Sequence, residues 1–124
     1  MDGAKDDQKE AILSGLAAHI GTEKWFRHWS RRFTYTEGVR FLAEEAKAHW
    51  LIDLVASWCP HPALRGEEFI AWKLQVRPDR SAVATADDGN DRVLVTQEIP
   101  LTDFPLDEIT LYITDNVLLL TSEY

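Results

Sequence analysis

The apolar positions change period along the chain, and the changes mark its elements. Ile12, Leu13, Leu16, Ala17 and Ile20 recur at helical spacing, which predicts a first helix over 9–20 stopped at Gly21. Residues 1–8 are expected to fray. Val39, Leu42, Ala46, Trp50, Leu54 and Trp58 follow steps of three and four. They predict one long helix over 36–58, with room for a bend, capped by Thr36 and halted at Cys59-Pro60. Its second half is also apolar at Leu51, Ile52 and Val55, the pattern of a helix that enters from solvent and passes beneath a sheet or another helix.

From residue 69 the period is two. Ile70, Trp72, Leu74 and Val76 face one way; Ala71, Lys73, Gln75 and Arg77 face the other. Strands are predicted over 69–77, 81–86, 92–99, 109–114 and 117–121. Turns fall at Pro78-Asp79, at 87–90 and at Asp115-Asn116. Phe104, in a loop flanked by Pro100 and Pro105, is expected to plug the edge of the core. Short links favour antiparallel neighbours, because parallel pairs need crossovers. The expected fold is therefore α+β: N-terminal helices packed on one face of a C-terminal antiparallel meander of about five strands. It is read as a single domain over 1–124, helical over 9–58 and sheet over 69–121.

Composition narrows the class. A hydrophobic content of 45% with five tryptophans argues against disorder. The one cysteine, Cys59, excludes an intramolecular disulfide and suits a reducing cytoplasm. The charged start is not a secretory signal, and no apolar run approaches the roughly 20 residues of a membrane span. The expectation is a cytoplasmic protein with no membrane partner.

The net charge of −8 is unevenly spread. Residues 1–81 hold twelve acids and twelve bases, whereas 82–124 hold nine acids and one base, Arg92. Such asymmetry bears on partners rather than on fold. Residues 22–35 have the most unusual composition. Lys24, Arg27, Arg31 and Arg32 interleave with Trp25, Phe26, Trp29 and Phe33. One reading makes the four bases a binding surface, with rings stacking on bases of a nucleic acid. The other makes Trp25, Trp29 and Phe33 the buried face of a short helix, with the basic groups snorkelling around it or pairing with the acidic third.

Asp53 lies in an apolar stretch, where a carboxylate needs a partner. Glu45, His49 and Asp53 are four residues apart on one predicted helix face. They are read chiefly as structure, with His49 and Asp53 as a buried polar pair or Asp53 held by a preceding arginine; the alternative is a metal-dependent enzyme. Cys59-Pro60-His61 reads as a turn. No phosphate-cradling glycine loop, nucleophile elbow or HExxH spacing is present, and adjacent acids on a helix point apart. No residue is assigned a catalytic role, and no metal or cofactor is expected.

Tyr35-Thr36-Glu37-Gly38-Val39, Leu42-Ala43-Glu44-Glu45-Ala46 and Trp50-Leu51-Ile52-Asp53 resemble segments of a small bacterial, plasmid and phage family. So do Thr96-Gln97-Glu98-Ile99-Pro100, Thr102-Asp103-Phe104-Pro105-Leu106-Asp107-Glu108 and the ending Leu118-Leu119-Leu120-Thr121-Ser122-Glu123-Tyr124. That family carries a domain-of-unknown-function label. The resemblance implies a free-standing domain from bacteria or mobile elements, and it supplies no activity. Family members often show Tyr where this chain has His49, which counts against a catalytic or metal role there. The expected function is a non-enzymatic macromolecular binding or accessory protein. A protein partner is favoured over nucleic acid, and homodimerisation is compatible with the sequence.

Overall fold

A computed structural model of the chain describes residues 3–18 and 24–124. The elements in order are α1 (Gly3–Ala18), β1 (Trp25–Arg27), β2 (Thr34–Thr36), α2 (Glu37–Glu45), α3 (His49–Trp58), β3 (Phe69–Val76), β4 (Ala82–Asp87), β5 (Val93–Ile99), β6 (Glu108–Thr114) and β7 (Val117–Leu120). A short 3₁₀ turn, Thr121–Glu123, follows β7. The fold is α+β, as the two periodicities predict.

The period-two region folds as read. Ile70, Trp72 and Leu74 are buried while Lys73 and Gln75 are exposed. Trp72 lies between Ala86 of β4 and Leu111 of β6 in the ladder, so small and large side chains interlock across the inner face. Asp115 and Asn116 both take positive φ, the backbone that a two-residue hairpin between twisted strands requires. Phe104 is fully buried and meets Trp50 edge-on, with ring centroids 6.3 Å apart.

Four expectations are corrected. The sheet has seven strands in the order β1-β2-β7-β6-β3-β4-β5, not a five-stranded meander. β3, β4 and β5 do form a meander, but β6 returns to the free side of β3, and β7 pairs in parallel with β2. The sheet is thus mixed, and the chain's last strand is inserted beside one of its first.

The segment read as a short helix over 22–35 is the β1–β2 hairpin in its described part; residues 19–23, with the predicted stop at Gly21, lie outside the described residues. Phe26 opposes Tyr35, and Arg40 of α2 covers the Phe26 ring at 4.5 Å. An aromatic-basic run in which Phe26 and Tyr35 meet across two strands reads equally well at period two, and β7 supplies the ladder that decides it.

The long central helix is two helices. Ala48 N–H donates to Ala43 O at 2.9 Å and Lys47 takes φ of 53°, the arrangement that closes a helix through a left-handed residue. Ala46 and Ala48 are buried at this corner, where only small side chains leave room for the turn. Lastly, the frayed start expected for 1–8 is helical from Gly3; residues 1 and 2 lie outside the described ones.

Thr36 caps α2 as predicted, its Oγ1 accepting from Val39 N–H at 3.2 Å. The same hydroxyl donates to Glu123 Oε1 at 2.6 Å, and that oxygen also accepts from Leu120 N–H. Trp58 at the end of α3 donates to Gln97 on β5 at 2.6 Å. Helical cover therefore extends from β7 to the far edge of the sheet.

Candidate functional site

The hairpin places its two tryptophans in solvent. Trp25 is 55% exposed and Trp29 78%, whereas Phe33 is buried. Lys24, Arg27, Arg31 and Arg32 are all exposed, and none of the four has an ion-pair partner among the described residues. The expected pairing of these bases with the acidic third does not occur. Those acids pair instead with Lys9 (through Asp107) and with Arg77 (through Glu98).

The hairpin tip is locked by a side chain that the sequence reading passed over. His28 is 4% exposed and stacks on Phe33 at 5.2 Å. Its Nδ1 accepts from Ser30 N–H at 3.1 Å and lies 2.8 Å from Ser30 Oγ. A backbone N–H can only donate, so Nδ1 carries no proton, and Nε2–H donates to Asp53 Oδ1 at 2.7 Å. The same carboxylate oxygen accepts from Trp29 Nε1–H at 3.0 Å. These bonds, above all the one from His28, hold the Asp53 carboxyl below its ordinary pKa, against a smaller opposing effect of burial.

Asp53 is thus partnered, but not as expected. Its side chain is 50% exposed, and its partners are His28 and Trp29 from the hairpin rather than His49 or an arginine. His49 itself is exposed at the start of α3. The break at Lys47 puts Glu45 on a different helix and ends the three-residue alignment. Among the described residues no group of three His, Cys, Asp or Glu side chains is placed to hold a metal.

Ser30, His28 and Asp53 form a chain of the residue types used in acyl transfer, but the geometry is that of a turn lock. Nδ1 is shared between the N–H and the Oγ of a single residue, and that Oγ also accepts from Arg32 N–H at 3.3 Å.

Ser30, Arg31 and Arg32 line a cleft of about 940 Å³ together with Arg65, Glu67, Glu68 and Asp115. Cys59 also lines it, but burial pushes its thiol pKa up and Sγ–H donates to Val55 O at 3.4 Å, so it is not an activated nucleophile. His61 Nδ1 accepts from Ala63 N–H, the turn expected there. A second, more apolar cleft of about 680 Å³ lies between Trp50, Ile99 and Leu101.

Fold and surface together define a class: an α+β domain of three helices and a seven-stranded mixed sheet, with a basic-aromatic hairpin at one sheet edge. The chain belongs to a family of unknown function, DUF6876, whose model matches residues 10–124. No curated protein and no solved structure matches it.

Among the described residues no helix is long and apolar enough to cross a membrane. His28 had no usable signal in the sequence, because its partner Asp53 lies 25 residues on and nothing local links the two.

Proposed function

We propose that this protein is a non-enzymatic binding protein of the bacterial cytoplasm or of a mobile element, and that the β1–β2 hairpin engages its macromolecular partner. One observation carries the reading: Trp29 is 78% exposed, yet its indole N–H is tied to Asp53. Covering that ring gains the free energy of removing its apolar area from water. A ring fixed in advance also loses little entropy when that happens. Trp and Arg are the residues that dominate binding energy at macromolecular interfaces, and here they alternate on one short hairpin. The lone, half-buried Cys59 suits a reducing compartment.

The test compares two baits in native lysate, the wild type and the triple variant Trp29→Ala/Arg31→Ala/Arg32→Ala, each with and without nuclease. All three side chains are exposed or half in solvent, so thermal unfolding should be nearly unchanged. Material retained by the wild type and lost with the variant supports the reading. Identical retention by both baits overturns it.

A further inference from the structure

We infer that the partner of the hairpin is single-stranded nucleic acid, bound without base-sequence preference; this rests on the binding role proposed above and names its ligand. Four bases and no acid occur between residues 24 and 36, so the partner is anionic. Arg27 stands between Trp25 and Trp29 in the chain, and Lys24, Arg31 and Arg32 are their near neighbours in sequence. An anionic partner that also offers flat rings is a polynucleotide with unpaired bases.

Trp29 further decides the mode of contact. Its N–H is committed to Asp53, so its edge has no donor to give and only its face is on offer. Stacking on an indole face is available to every base, which makes recognition sequence-tolerant. Arg31 and Arg32 follow Trp29 within three residues, at the rim of the 940 Å³ cleft, where a phosphate flanking the stacked base would lie. Arg31 is held at φ of 63° in the turn that His28 and Ser30 close, so the backbone there is set before the ligand arrives.

Part of the net charge of −8 lies far from the hairpin. β1 is one edge of the sheet and β5 the other. Six strand spacings separate them, roughly 25–30 Å, whereas charges are screened over about 8–10 Å. Asp87, Asp88, Asp91 and Glu98 sit on the β4–β5 side, beyond that range, whereas Glu67, Glu68 and Asp115 share the cleft with Arg31, Arg32 and Arg65.

The experiment is fluorescence anisotropy of a labelled oligothymidine and of a duplex of the same length, at about 50 and about 200 mM salt. The wild type should bind the single strand and leave the duplex. Each phosphate contact adds about 0.7 to the salt slope, so three contacts predict roughly a twentyfold loss over that range. Trp29→Ala should weaken binding about ten- to a hundredfold with the slope unchanged. Arg31→Ala/Arg32→Ala should weaken it and lower the slope by about 1.4.

Equal affinity for duplex, or no effect of either variant, overturns the inference. So does a wild type that ignores the oligonucleotide at low salt. If lysate baits still retain a nuclease-resistant partner through the hairpin, the binding role survives and only the ligand is wrong. If the baits also behave alike, both fall.

Discussion

Asp53 shows how one side chain serves two ends. Its carboxylate anchors the buried His28 and orients the exposed Trp29, joining the hairpin to α3. Because its pKa is depressed in the folded state, the stability it supplies is present above the usual carboxylate range, near 4. That stability is lost as pH falls through the lower, folded value. Asp53→Asn should therefore be less stable than wild type at neutral pH, with the gap closing below about pH 4. Denaturant melts of both proteins across that range measure it; a gap independent of pH would show that the carboxylate's charge contributes nothing. The carboxylate was legible in the sequence as a polar residue in need of a partner. The partner was not, since nothing near Asp53 distinguishes a histidine in the distant β1–β2 connection from one four residues away.

At the scale of elements, periodicity located five of the seven strands to within about a residue, because alternation along a strand needs only one face to be buried. It failed where two structures share a pattern. Trp25, Trp29 and Phe33 are spaced for a helix, but the hairpin buries only Phe33. The α2–α3 break carries no glycine or proline; it turns at Lys47, at positive φ between the buried Ala46 and Ala48. The packing of α1 on α2 offers a test with a definite sign. A methyl group on Gly15 would overlap the Phe41 ring. Gly→Ala within a helix ordinarily adds about 1 kcal/mol. Here overpacking of about 1–3 kcal/mol should outweigh it, so Gly15→Ala should lower the unfolding temperature. An unchanged or raised temperature would mean that Phe41 swings aside freely.

For the whole molecule, the parallel pairing of β2 with β7 ties residues 34–35 to residues 117–118. β7 also brings Leu118, Leu119 and Leu120 into the interior. Deleting residues 117–124 would expose the ladders of both β2 and β6 and remove three buried leucines. Loss of one cooperative unit is expected, not local fraying: the truncated chain should show no sharp thermal transition by circular dichroism. A truncated protein that still melts sharply would make β7 an accessory strand.

The order of apolar and polar residues determined the α+β class, the strand boundaries, the turn chemistry, the Thr36 cap and the buried Phe104, because each depends on neighbours within a few positions. Strand order, the hairpin at 25–36, the corner at Lys47 and the meeting of His28 with Asp53 were decided only by the tertiary structure. Those features join residues far apart in the chain, and no local preference distinguishes among the many partners such residues have available.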